Sequence, residues 1–295
     1  MKPLITVFTP TFNREKYLRR IYESLLRQSD RRFVWLVVDD GSTDGTRDEV
    51  ASFAANENGF EIIYCRKENG GLHTAYNRAV EMCGTFLFMC IDSDDILTDN
   101  AVASILSHLK DIDNDETAGF VAPNVLPDGT LIGGALPNVE NVHIGELKYK
   151  YRHRGDVKMI YKTDVIRWFA PMPVFDGEKT FNPCYMFMQA DEMYSLSVLH
   201  EPVSIIDYST NGMHTEVFSA YKNSPHSFAE LRRQFMRDRF APPHAVFRNA
   251  VHYVSSCIFA KETHMIKNSP RPAAVFFALP LGAVLNIFVR LKNKG

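Results

Sequence analysis

Short apolar runs rich in β-branched and aromatic residues recur through the first 125 residues, at 4–9, 33–38, 62–64, 86–91 and 119–122. Helical spacing fills the gaps between them. Beyond Asn13, read as a cap, Leu18, Ile21, Tyr22, Leu25 and Leu26 share one helical face. Further helices are predicted over 74–83 and, behind Thr98 or Asp99, over 100–109. Runs this short and this apolar are buried on both faces, and parallel neighbours need a long crossover that a helix supplies. The class is therefore α/β, with a mostly parallel central sheet and flanking helices. From about Asn124 the pattern becomes irregular, with turns at Asp128-Gly129 and Gly133-Gly134. A helix over 184–200 and a strand over 203–208 are predicted beyond it.

Open α/β sheets bind ligands outside the carboxyl ends of their strands. The first four runs all end there in polar or glycine chemistry. The first releases Thr9, Thr11 and Arg14, suited to a base, ribose or phosphate. The second releases Asp39 and Asp40, acceptors for a base N–H or ribose hydroxyls. The third releases Asn69-Gly70-Gly71, whose glycines let backbone approach a ligand closely. The fourth releases Asp92-Ser93-Asp94, carboxylates one residue apart that can take a hard divalent cation and leave positions for water and substrate phosphate. A second acidic run, Asp111 to Asp115, imitates a calcium loop. Glu116 replaces its turn glycine and Ala122 its last carboxylate, so it reads as a solvated loop.

Charge divides the chain more sharply than its net value of −2 suggests. Residues 219–295 hold 12 Lys and Arg against 3 Asp and Glu, leaving residues 1–218 strongly acidic. Basic segments attract nucleic acid or an anionic membrane face. The apolar stretch 273–289, flanked by Lys267, Arg271, Arg290, Lys292 and Lys294, selects the membrane. Pro280 and Gly282 inside it predict a broken helix in or dipping into the interface, with a buried core helix as the alternative. Five cysteines without a CxxC pair favour neither a disulfide framework nor a zinc knuckle, and a start lacking a signal-peptide pattern predicts a cytoplasmic protein.

In order and spacing, Thr9-Pro-Thr-Phe-Asn-Arg14, Val38-Asp-Asp-Gly-Ser-Thr-Asp44, Asn69-Gly-Gly-Leu-His-Thr-Ala-Tyr-Asn77 and Ile91-Asp-Ser-Asp-Asp95 resemble the motifs of family 2 inverting glycosyltransferases of GT-A fold. The resemblance is close over residues 3–125 and looser to about 215. It implies a GT-A domain over 1–215, with nucleotide-sugar binding in 1–125 and the acceptor side in 126–215, followed by a basic helical membrane-associating region over 216–295. It further implies a nucleotide-diphosphate sugar donor, UDP-linked by preference, with Asp39 or Asp40 at base and ribose. Asp92 and Asp94 would hold Mg²⁺ or Mn²⁺ at the diphosphate, and Asn77 would lie on the donor side. Residues 182–227, including Asn211-Gly212-Met213, resemble the subgroup that builds bacterial surface polysaccharides. The expected partners are a saccharide or lipid-linked acceptor and an anionic membrane surface at the inner face of the cell membrane, with no nucleic acid.

Two positions depart from the family pattern. Tyr76 stands where many members carry Arg, and Cys184 stands where an acid at a helix start serves as general base. Inversion needs a carboxylate to take the proton of the acceptor hydroxyl. Asp191, two turns further along the predicted helix, is the preferred substitute, with Glu178 and Glu192 as rivals. A degenerate module that binds nucleotide-sugar without transfer is the competing reading.

Overall fold

The computed structural model describes residues 2–208 and 217–292. Four parallel strands, each followed by a connection across a face, build the first half: β1 (Ile5–Thr11), α1 (Glu15–Leu26), β2 (Phe33–Asp39), α2 (Thr46–Ala54), β3 (Glu61–Arg66), α3 (Leu72–Met82) and β4 (Leu87–Cys90). A short β5 (Ile96–Leu97), α4 (Ala101–Ser107) and a 3₁₀ turn (Leu109–Ile112) lead to the long β6 (Thr117–Val125). Then come β7 (Asn141–Val142), α5 (Ile144–Tyr149), β8 (Val157–Lys162), α6 (Thr163–Trp168), α7 (Cys184–Asp191), β9 (Ser195–Val198) and β10 (Ser204–Ile205). Four helices close the described chain: α8 (Val217–Asn223), α9 (Pro225–Phe235), α10 (Pro243–Ala260) and α11 (Pro272–Lys292).

The strands run in the order β3-β2-β1-β4-β8-β6-β10-β5, with β7 and β9 off this path. Pleating sends alternate side chains to opposite faces. Val7, Trp35 and Met89 meet α1, α2 and α4 on one side, and Phe8, Leu36 and Phe88 meet Tyr76 of α3 and Phe187 of α7 on the other. The order reverses between β1 and β4, because β2 lies to one side of β1 and β4 to the other. That reversal parts the crossovers and opens a crevice at the carboxyl ends of β1 and β4. Strand β8 is antiparallel to both its neighbours, β4 and β6. The residues entering β8 therefore arrive at the edge where β4 and β6 leave.

The strands are one to five residues longer than the apolar runs that announced them, except β4, which is two shorter than its run. Three expectations need correction. Asn13 does not cap α1: its backbone is left-handed, φ 53°, and its side chain instead accepts from the Thr43 amide. The helix expected over 184–200 stops at Asp191, and the alternating Ser195-Leu-Ser-Val198 pairs with β6 as a strand. The broken helix expected at 273–289 is continuous over Pro272–Lys292 despite Pro280.

Neighbouring α10 explains that continuity. Val275, Ala278, Gly282, Asn286 and Val289, spaced three and four apart, bury one stripe of α11. Gly282 lets the two helices close up, since a Cβ there would lie 2.4 Å from a Val254 methyl. Asn286 donates to the Ser255 carbonyl at 3.0 Å. The helical region has its own small core, including Met236, Tyr253, Val254 and Val275. On the opposite face Phe276, Phe277, Leu281, Val284, Ile287, Phe288 and Leu291 remain exposed. Among the described residues this is the one helix long and apolar enough to cross a membrane.

Candidate active site

Loops from β1, β2 and β4 converge at the crevice. Among the bonds that stitch the β1 and β2 loops together, the Asn13 amide donates to Ser42 Oγ at 2.8 Å, and the Thr43 amide donates to Asn13 Oδ1 at 2.8 Å. Arg14, turned inward by the left-handed Asn13, reaches Asp94 Oδ2 at 3.5 Å. The β1 and β4 loops thus face each other across the crevice.

The acidic turn after β4 is tightened by the Asp95 amide donating to the Asp92 carbonyl at 3.0 Å. Its side chains then diverge. Asp92 is exposed, Asp94 is partly exposed beside Arg14, and Ser93 and Asp95 are buried. Burial, with the nearby Asp92, Asp94 and Asp156 charges, pushes the Asp95 carboxyl up to about 7 although Lys158 at 3.8 Å opposes this. Negative charge at this edge exceeds what Arg14 and Lys158 offset, an arrangement suited to a cation. Among the described residues no group of three or more His, Cys, Asp and Glu is placed to hold a metal. Asp92 and Asp94 alone suit a cation that draws its remaining ligands from water and diphosphate oxygens.

Several residues expected at the donor are committed within the chain. Thr9 Oγ1 accepts from the buried Trp35 indole at 3.0 Å. Asp40 gathers the amides of Gly70 and Gly71 at 2.9 and 2.8 Å, the Asn69 side chain at 3.1 Å and the Lys67 ammonium at 2.5 Å. The glycine amides therefore face a carboxylate of the protein, and Asn69 Oδ1 takes Lys179 Nζ at 2.7 Å. Gly71 is required by crowding as well as by φ 93°, because a Cβ there would lie 1.9 Å from the Lys179 carbonyl. Asn77 is locked to the backbone of Met172 through both ends of its amide, at 2.9 and 2.8 Å. These six residues, Thr9, Asp40, Asn69, Gly70, Gly71 and Asn77, shape the crevice.

Thr11, Arg14, Asp92, Ser93 and Asp94 are not committed in this way, and Asp39, though its carboxylate is engaged within the chain, pairs in register with Thr11. Thr11 Oγ1 is buried without a partner, an orphaned hydroxyl at the carboxyl end of β1. Asp39, 1% exposed, accepts from the Ser42 amide at 2.7 Å and from Tyr64 Oη. Burial first, then this carboxylate, pushes the Tyr64 hydroxyl far up, so it stays a donor. Tyr76, in place of the family's Arg, is core: it packs edge-on to Phe8 at 5.0 Å and to Phe187 at 6.0 Å. His73 is fully buried, with neither ring nitrogen bonded, and burial drives its pKa down.

Each of the three expected bases has hydrogen-bond partners within the chain. Asp191 lies at the far end of α7 from Cys184, about 10 Å along the axis at 1.5 Å per residue. Its carboxylate accepts from the amides of Ile144 and Gly145 at 2.6 and 3.1 Å, holding the start of α5. Glu178 holds the start of α9 in the same way, accepting from the His226 and Ser227 amides at 2.9 and 2.8 Å, from Ser227 Oγ at 2.6 Å and from His226 Nδ1 at 2.7 Å. Glu192 is exposed and accepts from Gln234 at 2.5 Å. Asp191 and Glu192 line a separate cavity of about 190 Å³ with Arg237 and Arg239. Burial raises the Cys184 thiol, which therefore remains neutral.

This sheet order, the β1/β4 crevice and the acidic turn at its edge define a GT-A fold. Residues 6–130 match the sequence profile described as Glycosyl transferase family 2, and the chain carries a domain of that family. TuaG of Bacillus subtilis, a glycosyltransferase assigned to teichuronic acid biosynthesis, is 36% identical over 94 residues, 32% of this chain and 37% of that protein. Chondroitin synthase of Escherichia coli is 33% identical over 108 residues, 37% of this chain and 16% of that one. The matched region thus spans well under half the length of these curated relatives. S. aureus TarS, solved also with UDP-GlcNAc, superposes with a TM-score of 0.60 at 17% identity, over 96% of this chain and 80% of a TarS chain comprising residues 1–349. The mannosyltransferase PcManGT of Pyrobaculum calidifontis, solved with GDP-Man and Mn²⁺, gives 0.56 at 15% identity over 97% and 88%. Both share the fold.

Glu178 generates a pH prediction. Burial raises its pKa, but the bonds from Ser227 and His226 outweigh burial and hold it below the ordinary 4.5. A depressed folded pKa stabilises fully above the unfolded value, and that contribution is lost as pH falls through the folded one. Glu178→Gln is expected to lower the melting temperature at pH 7 and to narrow the gap to wild type as pH drops below about 4.5. A gap that stays constant through acid melting curves contradicts the assignment.

Proposed function

We propose that this chain transfers a hexosyl or hexosaminyl group, with inversion, from a nucleotide-diphosphate sugar to a saccharide or lipid-linked acceptor in surface polysaccharide synthesis. One observation carries the reading: the β1 and β4 loops oppose each other at the switch point, with Arg14 at Asp94 and an exposed Asp92 beside them. The order of the motifs and the family match support it. A UDP-sugar is favoured, in keeping with the UDP-GlcNAc complex of a chain of the same fold.

Thr11 and Asp39 lie on the side of base and ribose, where the orphaned hydroxyl and the buried carboxylate can fix a planar ring and its N–H. Arg14 lies on the side of the diphosphate, its guanidinium suited to bidentate phosphate contact. Asp92 and Asp94 would hold a divalent cation, Mg²⁺ or Mn²⁺. Bound there, such an ion supplies Lewis-acid charge to the departing diphosphate.

In this reading α11 holds the enzyme at the cytoplasmic face of the membrane. Its exposed Phe276, Phe277, Leu281, Ile287 and Phe288 form one apolar band, with Lys267 and Arg271 before it and Arg290 and Lys292 after it. Because the opposite stripe is packed on α10, the helix would lie in the interface plane. Asn211-Gly212-Met213, part of the subgroup resemblance, lies outside the described residues.

Ligand that binds only the native state raises the melting temperature, by about 2.7 kcal/mol of stability at a hundredfold excess over Kd. UDP with Mn²⁺ is expected to raise it by several degrees and more than GDP does. Asp92→Asn and Asp94→Asn should remove the Mn²⁺-dependent part. No shift with any nucleoside diphosphate sinks the reading. For the membrane, the triple change Phe277→Ser, Leu281→Ser and Ile287→Ser should weaken co-sedimentation with phosphatidylglycerol vesicles more than tenfold, each exposed side chain contributing about 1.5–3 kcal/mol on burial. Unchanged co-sedimentation rules out this face.

A further inference from the structure

We propose that Asp156 is the catalytic base, an inference that rests on the glycosyltransferase reading above. The acid expected at the start of α7 is Cys184, and the carboxylates of Asp191 and Glu178 are bound to helix amides elsewhere. Sheet geometry brings another carboxylate to the edge of the acidic turn. Strand β8 runs antiparallel to β4, pairing Leu87 with Lys162 and Met89 with Ile160, so the residues before β8 continue alongside those that follow β4. The Lys158–Asp95 ion pair at 3.8 Å carries this meeting past the ends of both strands. Asp156 precedes β8 by one residue, at the edge where the acidic turn projects.

Its setting suits proton transfer. The Asp156 carbonyl accepts from Asn124 Nδ2 at 3.0 Å, which fixes the backbone to the carboxyl end of β6. One carboxylate oxygen accepts from Tyr208 Oη at 2.7 Å, which orients the side chain of an exposed residue. It stands at the sheet edge from which the acidic turn projects. Asp95, buried against Lys158, has no comparable access to an acceptor.

The step balances without a further reactant. Asp156 takes the proton of the acceptor hydroxyl as its oxygen forms a bond to the anomeric carbon. The bond from that carbon to the phosphate oxygen breaks, and the nucleoside diphosphate leaves with the electron pair. Water in place of the acceptor follows the same course, giving free sugar.

The test is UDP release from UDP-GlcNAc and UDP-glucose by the full chain with Mn²⁺, together with UDP affinity by titration calorimetry. Asp156→Asn is expected to lower kcat about 100-fold or more, the range of a general base, with UDP affinity and melting temperature unchanged. Asp156→Glu should recover part of the loss, and Tyr208→Phe should cost about tenfold or less by loosening the carboxylate. Asp156→Asn with kcat within about threefold of wild type overturns the base and leaves the glycosyltransferase reading intact. Asp191→Asn that loses turnover while keeping its fold also overturns it. Wild-type chain that binds no UDP brings down the glycosyltransferase reading and the base with it.

Discussion

The carboxylate of Asp40 holds the donor side of this molecule in shape. It leaves the end of β2 and collects two glycine amides, an asparagine side chain and an ammonium from the loop that follows β3. A buried carboxylate is tolerated only when its lone pairs are satisfied, and here four donors do so. Removing it would leave two amides unpaired and a lysine without its partner. Through Asn69 the same loop touches Lys179, and the neighbouring Glu178 fastens the start of α9. A chain of ionic hydrogen bonds thus links the crevice to the basic helical region.

Sheet order then decides which groups meet. The reversal between β1 and β4 brings Arg14 to Asp94, and the antiparallel β8 returns the chain to the edge that β4 leaves. Carboxylates of the expected site divide by this geometry. Asp40, Glu178 and Asp191 bind backbone amides and act as struts. Asp92 and Asp94, on the turn after β4, keep oxygens that face solvent, while Glu192 meets a glutamine on the surface.

Much of this was legible in the residues. The apolar runs that become β1, β2, β4 and β6 are visible because both sheet faces are buried there, while β3 is a half-exposed edge strand, and Asp92-Ser93-Asp94 is visible because it interrupts such a run. The residues gave the α/β class, and the resemblance carried by the motifs on four polar loops implied GT-A. The functions of Asp40, Glu178 and Asp191 were not legible, because their partners lie 30 to 49 residues away and are amides, which every residue but proline carries. Asp156, the base proposed above, was not legible for a related reason. Its partners Asn124 and Tyr208 come from separate parts of the chain, and only the reversed β8 assembles them. The helix expected over 184–200 failed on local grounds: Ser195-Leu-Ser-Val198 has the period of a strand. Pro280 misled because the packing of α11 on α10 along one stripe offsets the helix hydrogen bond that a proline removes.

A crystal structure of the full chain with UDP and Mn²⁺ tests the central claim most directly. The account predicts the diphosphate between Arg14 and the Asp92–Asp94 turn, the uracil against Thr11 and Asp39, and the metal on one or both of those aspartates. Nucleotide seated in the cavity beside Asp191, Glu192, Arg237 and Arg239, with the β1/β4 crevice empty, would contradict it.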